Sequence, residues 1–157
     1  MKTLFLVIGK TIDKHLVALI DEYVNRVKHY QPFDLEVIPE LKNTKALTPE
    51  QQKEREAELL KKSLKEGDYI VLLDEGGKEF RSVDFARYLE QKQQTVSRRL
   101  GFIVGGPYGF SPDIYALARE KVSLSRMTFS HQMVRAIFAE QIYRAFTIMK
   151  GEPYHHE

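Results

Sequence analysis

Short apolar runs alternate with longer amphipathic ones from one end of the chain to the other, and this alternation limits the fold more than any other feature. Residues 3–9 read as a buried strand, rich in Leu, Val and Ile and closed by glycine. From Asp13 to about His29, apolar residues fall at Leu16, Leu19, Ile20, Tyr23, Val24 and Val27, the spacing of a helix with one buried face. Residues 35–38 give a second short strand ending at Pro39, and residues 42–47 a polar loop. Thr48-Pro49-Glu50-Gln51 combines an N-cap, a proline at the first helical position and a capping-box partner. The helix it starts should run to about Lys65 and stop at Gly67. Residues 69–73 and 102–104 supply two more strands, separated by a turn at Glu75-Gly76-Gly77-Lys78 and a helix from near Ser82. Ser111-Pro112-Asp113 starts another helix, residues 122–129 look extended, and Ser130 caps a long final helix to Lys150 with Gly151 as its stop. Strands alternating with helices imply an α/β fold, a mostly parallel sheet flanked by helices.

At 157 residues, with no internal repeat and no linker, the chain reads as a single domain over residues 1–157. Hydrophobic residues at 43% and charged residues at 29% exclude a disordered tail or a membrane protein. The apolar run at residues 4–8 is too short to span a bilayer and lacks a signal-peptide cleavage pattern. Without cysteine there is no disulfide framework, thiolate nucleophile or Cys-based zinc site, and a reducing cytoplasm is the expected location. The net charge of +2 says little, but its distribution says more. Between residues 117 and 150, Arg119, Lys121, Arg126, Arg135, Arg144 and Lys150 face only Glu120 and Glu140. These cations are either a phosphate-attracting surface or ordinary solvated helix charges.

Ligands of open α/β sheets bind at the loops that follow the carboxyl ends of strands. Three such segments stand out: Asp74-Glu75-Gly76-Gly77-Lys78, Gly105-Gly106-Pro107-Tyr108-Gly109, and residues 123–129. Glycines directly after a strand admit a ligand to the backbone, though the same residues also make a plain tight turn. The glycine spacing is not that of the dinucleotide fingerprint, and no Gly-Lys-Ser/Thr phosphate loop exists, so a cofactor held by backbone groups in an apolar slot fits better than one held by its phosphates. His131, at the start of the last helix, is either a substrate contact or a local cap. His155 and His156 lack metal-ligand spacing, and no metal site is expected. The final helix is apolar on more than one face through Val134, Ile137, Phe138, Ile142, Ala145, Phe146 and Met149, which calls for cover on both sides, one of them a second subunit. Glu140 and Arg144 have the i, i+4 spacing of a structural pair.

Several of these segments together resemble one family. They are Val104-Gly105-Gly106-Pro107 with Gly109, Ser123-Leu124-Ser125, the run from Met127 to Arg135, Glu140-Gln141-Ile142-Tyr143-Arg144-Ala145, and the ending Pro153-Tyr154-His155. Leu6-Val7-Ile8-Gly9-Lys10 adds to the likeness. In order and spacing they resemble the RlmH family, the ribosomal RNA large-subunit pseudouridine methyltransferases of the SPOUT superfamily. The resemblance implies a SPOUT α/β fold with a C-terminal trefoil knot, which general topology rules would never have suggested. It implies a homodimer packed partly through the final helix. It also implies S-adenosyl-L-methionine as cofactor, and methylation of N3 of a pseudouridine in 23S rRNA of the assembled ribosome.

Carried over residue by residue, the resemblance makes Leu73, Gly105, Leu124, Ser125, Arg126, Met127, Thr128 and Phe129 the cofactor contacts. It makes His131, Tyr154 and His156 the candidates for positioning the base or easing its deprotonation, because the C-terminal tail is expected to reach toward the active site. The chain departs from the family pattern at Ser130, where many relatives have proline, at Tyr108, and at His156, where some have arginine. Histidine is only partly charged near neutral pH, so His156 is a weaker fixed cation than arginine. Two other readings use the same residues: a non-catalytic ribosome- or RNA-binding dimer of this fold, and an enzyme for a small substrate. The intact glycine loop and residues 124–129 argue against the first; the basic final third and the tail from Tyr154 to Glu157 favour RNA over the second.

Overall fold

The computed structural model describes residues 1–156. Five strands, β1 (Lys2–Ile8), β2 (Phe33–Ile38), β3 (Tyr69–Glu79), β4 (Arg99–Val104) and β5 (Glu120–Ser123), alternate with α1 (Lys14–Lys28), α2 (Pro49–Ser63), α3 (Ser82–Thr95), α4 (Pro112–Leu117) and α5 (His131–Met149). The strands form one sheet in the order β2-β1-β4-β3-β5, with every pair parallel. Both faces of a parallel sheet must be covered, and the strand sequences alternate accordingly. Phe5, Val7, Val71, Phe102 and Val104 point to the face that buries α1, α3 and α5. Leu6, Ile8, Ile70, Leu72 and Ile103 point to the face that buries α2 and α4.

Aromatic packing ties the longest helix to the middle of the sheet. Phe5 and Phe102 are register partners on neighbouring strands, and the Phe138 ring of α5 lies 4.8 Å from each. All three are fully buried, and removing such a ring typically costs about 3–5 kcal/mol. The helix starts follow local chemistry. Asp13 accepts from the His15 and Leu16 amides at 2.8 and 3.2 Å, Thr48 and Gln51 close a capping box, and Ser130 accepts from the Met133 amide at 3.1 Å.

Differences from the sequence reading concentrate in two places. The turn expected at Glu75-Gly76-Gly77-Lys78 is instead a bulged continuation of β3, which pairs with β5 on both sides of the bulge between Leu73 and Lys78. Gly77 makes this possible: a Cβ there would lie 2.6 Å from backbone atoms of Lys121 and Val122. The extended run expected over residues 122–129 ends as a strand at Ser123. Beyond it the chain bends, because Ser123 Oγ donates to the Ser125 carbonyl at 3.0 Å and Ser125 Oγ accepts from the Met127 amide at 2.9 Å.

The amino ends of the strands carry paired charges. Arg99 donates to both carboxylate oxygens of Asp68, at 2.9 and 2.6 Å, and to the Ser63 carbonyl at 3.0 Å. Lys92 meets Glu120 at 2.5 Å and the Tyr69 hydroxyl at 3.1 Å. At the carboxyl ends, the connection from β3 leaves through α3 on one face and that from β4 through α4 on the other. Connections diverging in this way open a crevice between the two strand ends.

Candidate active site

That crevice is a cavity of about 570 Å³ whose walls are residues 73–75 at the bulge of β3, the turn after β4, the end of β5 with the residues that follow it, and the first turn of α5. Glycines shape its middle wall. A Cβ on Gly106 would sit 2.5–2.6 Å from the carboxylate oxygens of Glu56, so the Gly105–Gly109 turn packs its backbone directly against α2. A Cβ on Gly105 would lie 3.2 Å from the Gly109 carbonyl and the Phe110 ring.

The wall is apolar and acidic. Among the described residues, Asp74 and Glu75 line it, no Lys or Arg does, and His131 is its one basic side chain. Both carboxylates are held by neutral donors. Asp74 accepts from the Tyr115 hydroxyl at 2.6 Å and the Gly76 amide at 3.0 Å, and Glu75 accepts from Thr128 Oγ1 at 3.1 Å. Burial, then the bond to Asp74, pushes the Tyr115 phenol up to about 12, which keeps it a donor. Such a wall repels phosphate and suits a ligand with net positive charge.

Of the residues assigned to the cofactor, Leu73, Gly105, Leu124, Ser125, Met127, Thr128 and Phe129 line the cavity. Arg126 does not. Its side chain is 91% exposed and pairs with Glu79 at 2.9 Å, leaving only its backbone for a cofactor. His131 lines the cavity from the exposed first turn of α5.

Tyr154 and His156 lie elsewhere in the same chain. The tail folds back on α5 and α1 through bonds from the Tyr30 hydroxyl to Glu152 at 2.7 Å and from the Tyr154 hydroxyl to Glu140 at 3.0 Å. The Tyr154 ring also packs against Tyr143 and under the Arg144 guanidinium. Burial first, then its bonds to Tyr23 and Glu140, raises the Tyr154 phenol above its ordinary value. The tyrosine is therefore a hydrogen-bond donor here and not a base. Glu140 is nine residues beyond His131 on the helix, about 14 Å of rise, and none of the described tail residues lines the cavity of its own protomer. His156 is exposed, and Glu157 lies outside the described residues.

Three features escaped the sequence reading. Arg135, counted among the surface cations, is 1% exposed and donates to the carbonyls of Ile8, Gly9 and His131 and to Thr11 Oγ1. It ties the first turn of α5 to the end of β1. Gln132 adds a second tie, accepting from the Ile12 amide at 2.9 Å and donating to the Lys10 carbonyl at 3.2 Å. Glu56, 4% exposed, stands behind Gly106 with Oε1 lacking a hydrogen bond; burial raises its pKa, Gln52 opposes this and Glu40 adds to it. Its position on the apolar stripe beside Ala57 and Leu60 was the one signal for it.

Among the described residues there is no group of His, Cys, Asp and Glu able to hold a metal, and no helix is long and apolar enough to cross a membrane. Fold and crevice thus define an α/β domain whose ligand crevice lies at the carboxyl edge of its sheet, apolar, acidic and free of Lys and Arg.

Comparison with known proteins places this domain. The family described as predicted SPOUT methyltransferase matches residues 1–155, and the chain belongs to that family. Proteins named ribosomal RNA large subunit methyltransferase H are similar over the full length of both chains. Those of Bacteroides fragilis and Phocaeicola vulgatus are 62% identical, and that of Flavobacterium johnsoniae 53%. Among solved structures, that of a probable methylase family protein from Haemophilus influenzae matches 95% of this chain and 66% of its own with a TM-score of 0.51. At 11% identity it supports the fold alone.

S-adenosylmethionine fits the crevice. Its sulfonium gives it a net positive charge suited to a wall carrying Asp74 and Glu75, and it needs no phosphate loop. Leu73, Leu124 and Phe129 offer apolar surface for an adenine ring, and Gly105, without a side chain, lets the ring approach the backbone of the middle wall.

Proposed function

We propose that this chain is an S-adenosylmethionine-dependent methyltransferase that modifies N3 of a pseudouridine in 23S rRNA of the assembled ribosome. The full-length likeness to proteins named ribosomal RNA large subunit methyltransferase H carries this reading. The enzyme is a cytoplasmic homodimer, and its C-terminal third forms the trefoil knot of the superfamily. When bound, the cofactor supplies a methyl group already activated by the sulfonium charge.

The chain's own residues do the rest. Leu73, Gly105 and residues 124–129 hold the cofactor, while Asp74 and Glu75 match its charge. His131, fixed through its carbonyl by Arg135, stands at the cavity where the N3 proton must leave. Alignment of nucleophile, methyl carbon and sulfur is the main task of such a site. Tyr154 and His156 reach a cavity only across the dimer, where they position the base in the partner's site. The half-covered faces of α5 at Val134, Ile137 and Met149 suit packing against a second copy.

Labelled S-adenosylmethionine incubated with ribosomes from a strain lacking the enzyme tests this, with the label then mapped. Label at one pseudouridine of 23S rRNA is expected. A chain ending at Gly151 should keep cofactor affinity but lose labelling. Cofactor binding without ribosomal label would remove the substrate assignment and leave the cofactor site standing.

A further inference from the structure

We propose that Tyr108 is the platform on which the target base stacks as it enters the crevice. The inference rests on the RNA methyltransferase reading and names a binding residue for that same site. Tyr108 stands at the tip of a tight turn. The Gly109 amide donates to the Gly106 carbonyl at 3.1 Å, Gly106 and Gly109 form an antiparallel bridge, and Pro107 fixes the first corner. Both feet of the turn are anchored. Gly106 packs on the buried Glu56 carboxylate, and Phe110 is buried with the Tyr115 ring edge-on at 5.8 Å.

Despite this anchoring the Tyr108 side chain is 52% exposed while still lining the cavity that His131 lines. A large ring held half in solvent on a rigid turn adds little to the packing of this fold. It offers instead a preorganised flat surface at the mouth of the site.

The reaction needs such a surface. A base modified at a ring nitrogen must leave its stack, and enzymes offset that loss by stacking the base on an aromatic side chain. The wall bearing Asp74 and Glu75 disfavours phosphate, so the part of the RNA that enters is the uncharged base. Stacking uses the ring face and not the hydroxyl. Phenylalanine and tryptophan should therefore serve in place of tyrosine.

The test is steady-state methylation of ribosomes lacking the modification, paired with calorimetric titration of S-adenosylmethionine. Tyr108→Ala is expected to lower kcat/KM for ribosomes roughly tenfold, mainly through KM, with cofactor affinity unchanged. Tyr108→Phe and Tyr108→Trp should recover most of the loss. Wild-type turnover by Tyr108→Ala would overturn the proposal. So would a parallel loss of cofactor affinity, which would place the ring against the cofactor, or a Tyr108→Phe variant as weak as Tyr108→Ala. If the unsubstituted enzyme labels no ribosome at all, both readings fall together, and that shows before any variant is made.

Discussion

At the amino edge of the sheet, Asp68 faces Arg99 at 2.6 Å and Glu120 faces Lys92 at 2.5 Å. At the carboxyl edge, Arg135 and Glu56 are both buried, with no opposite charge in contact among the described residues. Arg135 is satisfied by carbonyls and a hydroxyl, Glu56 has an oxygen with no hydrogen bond, and Asp74 and Glu75 take only neutral donors. The amino edge pairs its charges, whereas the carboxylates in the cavity wall of the carboxyl edge meet no cation among the described residues. A site that must hold a cationic ligand keeps carboxylates uncompensated, and stability lost there is made up elsewhere.

The largest expected effect breaks the amino edge. Asp68→Ala strands the Arg99 guanidinium and should cost about 3–5 kcal/mol in denaturant unfolding, while S-adenosylmethionine affinity in the folded fraction stays at the wild-type value. An equal loss of affinity would mean the two edges are not separable. Next in size is Gly105→Val, which crowds the Gly109 carbonyl and the Phe110 ring. Calorimetry should show cofactor affinity down by about tenfold or more, with overpacking costing about 1–3 kcal/mol of stability.

The two buried carboxylates sharpen the contrast through pH. Burial raises Asp68, but the bonds from Arg99 and the Lys65 amide outweigh it and hold its pKa below the ordinary carboxylate value. Its stabilisation is present above the unfolded pKa and lost as pH falls through the folded one. Glu56 has the opposite sign. Its pKa is raised by burial, so its contribution is most favourable below the unfolded pKa and is lost as pH rises through the folded one. Glu56→Gln should therefore stabilise the protein by about 1 kcal/mol near neutral pH and by nothing in acid, read from thermal unfolding across pH. A loss of stability at neutral pH would show that the ionised carboxylate has a partner. The smallest effect belongs to Arg126→Ala, which removes an exposed pair with Glu79. It should change stability by less than about 0.5 kcal/mol and leave cofactor affinity alone.

Much of this architecture was legible in the sequence because local rules wrote it. Thr48, Ser111 and Ser130 each cap the helix assigned to them, and the apolar spacing of α1 and α5 matches the faces they bury except at Leu19, which is exposed. The three segments singled out at strand ends each give residues to one cavity, although the first, at residues 74–78, is a bulge within β3 and lines it only through Asp74 and Glu75. What stayed hidden depends on distant partners. Nothing near Gly77 announces that β5 lies over it, and nothing near Arg135 shows that its acceptors are some 124 to 127 residues away in the chain, at Thr11, Gly9 and Ile8. Buried charge at such positions is a tertiary fact. Some motifs of the family likeness sit at those same strand ends, and others, at residues 140–145 and 153–155, on α5 and the tail that follows it.

Hydrogen exchange with and without S-adenosylmethionine tests the division between the edges most directly. Cofactor should slow exchange in residues 73–77, 104–110 and 123–131, and leave the amides around Asp68, Lys92 and Arg99 unchanged. Protection centred on residues 78–91, or spread evenly over both edges, would contradict the placement of the cofactor site.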